Sequence, residues 1–238
     1  MKLLIALICV VIFTGSCKPP EESRFKAIVG AVLVEAGKPP LSRSVIVVAG
    51  NRIRGVGEQA NVPIPAGSDK VDGSGKFLIA APVSIPTNLP KITSLADAKS
   101  QADSGAFAFE GMIADTEDID AALLHKLRDL RIVFVPKLSS VGTDVTRRNT
   151  KKLADAGVPI AADNARDWEA LKQIGLTPEQ ILASATHNAA RAAKLDEERG
   201  AVRTGFLADV LLLKGNPLED SANLSKIETA IAGGEWVK

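Results

Sequence analysis

Apolar positions in residues 25–78 follow strand spacing. "FKAIVGAVLV" is a β-branched apolar run, and "SVIVVAGNRIRGVG" holds two short runs around Gly50-Asn51, which predicts a hairpin. "KVDGSGKFLIA" reads as a turn and a further strand, and the prolines of "NVPIPAGS" mark an edge loop. From Ser94 the period becomes helical. "LADAKSQADSG" predicts a helix closed by Gly105 and followed by the strand "AFAFEG". "DTEDIDAALLHKLRDL" places Ile119, Leu123, Leu127 and Leu130 on one helical face before the strand "RIVFVPKL". "TRRNTKKLADAG" predicts a helix closed by Gly157, then the strand "VPIAA". "TPEQILASATHNAARAAKL" is the most sharply bounded helix, with Thr177 and Gln180 forming a capping box and Pro178 at the first helical position. "GFLADVLLLKG" and "IETAIAGGEWVK" return to strand spacing. The chain therefore reads β, then α/β with a parallel sheet, then β.

Composition narrows the partners. The 238 residues allow one or two domains, and 46% hydrophobic with 24% charged residues supplies a packed core. A net charge of +1, without arginine-rich runs or interleaved aromatics, leaves no electrostatic footprint for nucleic acid. Lys2 and the apolar run "LLIALICVVIF" predict a secretory signal that is short for a membrane span. The following "TGSC" resembles the lipobox of bacterial lipoproteins, which implies cleavage before Cys17, acylation of Cys17 and attachment to the cell envelope. Lys18 carries no inner-membrane retention signal, which implies the outer membrane, facing the periplasm. Thr14 departs from the leucine that usually opens the box, so a secreted or periplasmic form and a plain anchor helix stand as alternatives. Cys9 and Cys17 are the two cysteines, so no disulfide is expected. Residues 1–17 are then the signal and 18–24 a polar tether.

Three segments carry a family resemblance: "IVVAGNRIRGVGEQANVPIPAGSDKVDGSGKFLIA", the pair "LLHKLRDLRIVFVPKLS" and "KKLADAGVPIAAD", and "GLTPEQILASATHNAARAAKLDEERGAVRTGFLADVLLLKGNPLED". They resemble the amidohydrolase superfamily, in particular its imidazolonepropionase-like and dipeptidase-like members. The resemblance implies a β-sandwich built from residues 25–78 together with 206–238, and a (β/α) TIM-like barrel in residues 79–205. It also implies one or two divalent metals that activate water for hydrolysis, mostly of C–N bonds.

The departures fall on the metal site. Where the resembling family reads His-x-His at the end of its first barrel strand, this chain has Pro86-Thr87-Asn88. Proline has no donor atom, and Asn88 offers only a neutral oxygen. His125 and His187 are the two histidines, and both read as helix or packing residues. In "AFAFEG", Glu110 stands where the family has histidine; in "GVPIAADNARD", the family's last-strand aspartate falls on Ala165, with Asp163 two residues earlier. An offset of two keeps the same strand face but shifts a side chain about 6.6 Å along it. Glu110 and Asp163 are thus candidates for catalysis or for weakly holding a hard cation, and equally for plain strand-end carboxylates. No resident metal is expected.

Length makes the second departure. A complete (β/α)₈ barrel takes about 250 residues, whereas Phe77 to Leu195 spans about 119. At roughly 30 residues per βα unit, that is about four units. The expected fold is therefore α/β, a partial barrel plus the sandwich, with open strand edges to be remodelled, capped by other segments or covered by a second copy of the chain. Three functions remain: a non-catalytic envelope lipoprotein that binds a ligand or partner, a hydrolase of C–N bonds with a rebuilt site, and a decayed gene product.

Overall fold

A computed structural model describes residues 25–138 and 142–237. The signal, the tether and Cys17 lie outside the described residues. The β part consists of β1 (Lys26–Leu33), β2 (Leu41–Ala49), β3 (Arg52–Glu58), β4 (Asp69–Asp72) and β5 (Phe77–Ala80) from the N-terminal side. β9 (Val210–Leu213), β10 (Ile227–Ala232) and β11 (Glu235–Val237) come from the C-terminal side. They form one sheet in the order β11-β10-β9-β5-β1-β2-β3, with β4 also paired to β1. β1 runs parallel to β4 from Lys26 to Val29 and to β5 from Val32. Gly30, at φ +85°, lets the backbone change partners between them.

The two ends of the chain meet where β5 pairs antiparallel with β9, from Phe77↔Leu213 to Ala80↔Val210. Strands of this length cannot stand alone in water. Their buried faces share one core of Ile28, Ile46, Ile53, Leu78, Val210, Leu212 and Ile231. The hairpin at Gly50-Asn51 forms as the sequence predicts, joining β2 to β3.

The α/β part has parallel strands β6 (Lys91–Ile92), β7 (Ala108–Gly111) and β8 (Val133–Pro136). Pro159–Ala161 extends this sheet: Phe134 N–H donates to the Pro159 carbonyl at 2.8 Å, and Ala161 N–H to the Phe134 carbonyl at 2.9 Å. The helices are α1 (Leu95–Asp103), α2 (Ala121–Asp129), α3 (Asp144–Asp155), α4 (Ala165–Gln173), α5 (Pro178–Ala185) and α6 (His187–Ala192). Alternate strand residues face opposite layers. Phe109, Phe134, Ile160 and Ala162 pack with Leu123, Leu127, Leu153, Leu171 and Ile181 on one side. Ala108, Val133, Val135 and Ala161 face the other way, against Val83 and Leu89 and against Ala189, Ala190 and Ala192 of α6. The apolar face that a complete barrel would turn inward is thus covered by the chain's own segments. The fold is a partial (β/α) barrel joined to a sandwich.

Four local expectations are corrected. The segment leading to Pro86, which aligns with the family's first barrel strand, forms no strand; β5 ends at Ala80 within the sandwich sheet. Pro82 and Pro86 have no N–H for a ladder, and the segment is held instead by Val83 N–H on the Ala185 carbonyl at 3.0 Å. Second, α2 begins after Ile119 and ends before Leu130, which is 54% exposed, because the Asp120 carboxylate caps the Leu123 N–H at 2.8 Å and starts the helix there. Third, the capping box at Thr177–Gln180 forms, but the long helix breaks at Thr186 (φ −111°, ψ −100°). The Thr186 hydroxyl donates to the Leu182 carbonyl at 2.7 Å, and beyond the break Asn188 Nδ2 donates to the Ile160 carbonyl at 2.9 Å, pinning α6 to the sheet. Fourth, the expected strand "VPIAA" pairs only at Ile160 with Phe134, because the next rung would need an N–H from Pro136, which has none; on its far side the Ala162 N–H donates at 3.1 Å to the Ser184 carbonyl on α5.

Candidate functional site at the strand ends

Glu110 lies near the end of β7, and its side chain is on the same face as Ala108. Asp163 follows the extended run 159–161 on the face of Ala161. The sheet therefore turns the two candidate carboxylates to one side, as the period of two requires. Their partners then diverge.

Glu110 is only 6% exposed, and a carboxylate so buried needs compensation. Lys137 Nζ stands 3.1 Å from one of its oxygens and Lys91 Nζ 3.6 Å from the other. Both lysines arrive through strand register. Lys91 pairs directly with Glu110, and Gly111↔Pro136 brings the chain end at Lys137 alongside. Gly111 itself sits at φ +133°, and a Cβ there would come 2.0 Å from the Ile92 carbonyl oxygen, so only glycine lets β6 approach β7 this closely. Asp163 binds backbone instead: its Oδ2 accepts the Ile85 N–H at 2.9 Å and its Oδ1 accepts Asn164 Nδ2 at 3.3 Å. Its role is to tie residue 85 to the sheet.

These donors do not fit the divalent metals of the resembling family. Pro86 contributes nothing, Asn88 is exposed, and the Glu110 carboxylate faces two ammonium groups where a metal ion would need it. Among the described residues no three His, Cys, Asp or Glu side chains are grouped to share a cation. His125 is exposed on α2. His187 opens α6, half-buried, and burial followed by the nearby Arg131 guanidinium holds its pKa below the ordinary imidazole value. Neither histidine is hydrogen-bonded or ion-paired to Glu110 or Asp163, whose partners are Lys91, Lys137, Ile85 and Asn164. Lys137 is the residue that sequence reasoning missed; its position directly after the apolar strand "VFVP", one strand over from Glu110, was the available signal.

The amidohydrolase family's sequence model matches residues 83–237. No curated protein matches the sequence significantly. Among solved structures, molinate hydrolase superposes with a TM-score of 0.77 at 12% identity, across 91% of this chain and 95% of its own. A Xaa-Pro dipeptidase with methionine bound in its active site gives 0.68 at 12% identity, across 90% and 100%. Ochratoxinase from A. niger gives 0.66 at 13%, across 92% and 96%. At such identities the structural likeness speaks to the fold, and it agrees with the sequence match over more than half of the chain: this protein belongs to the amidohydrolase family.

Proposed function

We propose that this chain is a non-catalytic amidohydrolase-family protein, anchored in the bacterial envelope by lipid on Cys17, that works by binding. One observation carries the loss of catalysis: the buried Glu110 carboxylate, the nearest replacement for a lost histidine, is neutralised by the Lys137 and Lys91 ammonium groups. A protein cation in that place removes both the charge and the lone pairs that a metal would require. The relatives named above include enzymes that hydrolyse their substrates, and the competing reading, hydrolysis of a C–N bond, needs an activated water that these side chains do not supply.

The test is elemental analysis of protein expressed in medium supplemented with zinc, iron and manganese. The expected content is well below one metal per chain; one tightly held transition metal per chain overturns the reading. The anchor is tested separately. Cys17→Ala should release the protein from membranes or leave it unprocessed, and unchanged membrane retention with unchanged mass refutes acylation. Dual acylation gives stable attachment where a single chain does not.

A further inference from the structure

A cleft of about 300 Å³ opens where the sandwich meets the α/β part. It lies at the other end of the parallel strands from Glu110. Arg131 precedes β8 while Lys137 follows it, and the four-residue strand between them alone spans roughly 13 Å at 3.3 Å per residue. Five cationic side chains line the cleft, Lys38, Arg131, Arg191, Arg199 and Arg203, against the two carboxylates Glu35 and Asp196. Within a chain of net charge +1 this is a local concentration of positive charge.

The pairing leaves a surplus. Lys38 is matched by Glu35 at 2.7 Å and Arg191 by Asp196 at 3.5 Å, and Arg199 is paired with Asp209. Among the described residues Arg131 and Arg203 have no carboxylate partner; Arg203 only rests over the Phe206 ring, 5.6 Å from its centroid. Arg131 also stands where arginine is expensive. It follows α2 at φ +52°, with its N–H on the Arg128 carbonyl at 2.9 Å and the Ile132 N–H on that of Leu127 at 2.8 Å. Glycine normally takes this left-handed helix end, and a side chain there costs about 1 kcal/mol. The Arg131 carbonyl is in turn gripped by Arg191 Nε at 2.8 Å, which fixes the loop. His187 lines the same cleft, within electrostatic reach of both guanidinium groups, and adds a neutral ring N–H as a donor.

We propose that this cleft is a binding site for a small phosphate monoester, held by Arg131, Arg203 and His187. Arg131 comes from the turn before β8, Arg203 from the segment returning to the sandwich, and His187 from the start of α6. Donors supplied by three separate segments suit a tetrahedral group with three acceptor oxygens better than a planar carboxylate with two. Val34, Ala36, Ala80 and Leu182 offer apolar wall for the organic part. The site is remote from the strand-end carboxylates, so its occupancy does not depend on whether those catalyse.

The experiment is calorimetric titration of the purified full chain with inorganic phosphate and glycerol phosphate at fixed ionic strength, with succinate as the planar dianion. Saturable phosphate binding is expected, about tenfold weaker or more in Arg131→Gly and in Arg203→Ala. Arg131→Gly is the informative variant because glycine suits the left-handed backbone, so the fold is retained while the guanidinium is lost. Arg147→Ala, an exposed arginine on α3 outside the cleft, should bind as the parent does. Absence of saturable phosphate binding, succinate binding as tightly as phosphate, or equal weakening by Arg147→Ala overturns the proposal.

Discussion

The Asp163 carboxylate accepts the main-chain N–H of Ile85 at 2.9 Å, across 78 residues of sequence. The contact ties the proline-bounded segment 82–86, which has no sheet ladder of its own, to the run that follows Ile160. In this chain an acidic residue near the end of the last extended run of the α/β part holds backbone.

Asp163→Ala should therefore destabilise the fold by about 1–3 kcal/mol, since it orphans a half-buried N–H. Asp163→Asn, which keeps an acceptor oxygen, should recover most of the loss. Urea denaturation measures both, and equal losses in the two variants would show that charge rather than the hydrogen bond matters.

Glu110 and its lysines should behave as a coupled group. Lys91→Ala with Lys137→Ala leaves a buried carboxylate without these two cations and should cost about 1–3 kcal/mol, less than a fully buried pair because both lysines are partly solvated. In a Glu110→Gln background the same two changes should cost far less. A double-mutant cycle by denaturation reads the difference, and strict additivity would sink the account of Glu110 as a neutralised group.

Gly111→Ala should be among the most damaging single substitutions. The added methyl would meet the Ile92 carbonyl oxygen at 2.0 Å, and the partner is backbone, which cannot step aside without parting β6 from β7. Loss of soluble, cooperatively folding protein is expected; a variant that melts like the parent contradicts the β6–β7 geometry.

The ends of the chain share a core, and Leu212, on β9, is fully buried within it beside residues of β1 and β2. Leu212→Ala should cost about 2–5 kcal/mol. It should also speed amide exchange at Val45–Val48, over a hundred residues away in sequence. Unchanged protection there, despite lower overall stability, would mean that the two ends do not fold as one unit.

Stability should decline in two pH windows. His187 has a pKa below its ordinary 6.5, set first by burial and then by Arg131, with Arg203 and Lys38 acting the same way and Glu35 opposing. The unfolded chain therefore takes the proton more readily, so stability falls as pH drops through 6.5 and levels off below the folded value. Carboxylates held below their ordinary values, such as Asp97 by the Thr93 N–H and Glu117 by Arg148, weaken the fold only at lower pH, below about 4.5. His187→Gln should flatten the first decline and leave the second. Denaturation midpoints across pH 2 to 8 separate them.

Signals held within a few residues were legible in the sequence. The Gly50-Asn51 hairpin and the Thr177–Gln180 capping box each depend on turn chemistry or on side chains three residues apart. The family, too, was legible, in motifs spread along the chain. What the tertiary structure alone decided were the partners. α3 buries Thr146, Asn149 and Thr150, polar residues that no hydrophobic period marks, because Asn149 reaches the Ile113 and Thr116 carbonyls at 2.8 and 2.7 Å. The helix from Pro178 stops at Thr186 because Asn188 binds the sheet. Lys137 faces Glu110 because two strands lie side by side. A burial cost and the group that offsets it come from different parts of the chain, so that pairing exists only once the sheet has brought them together.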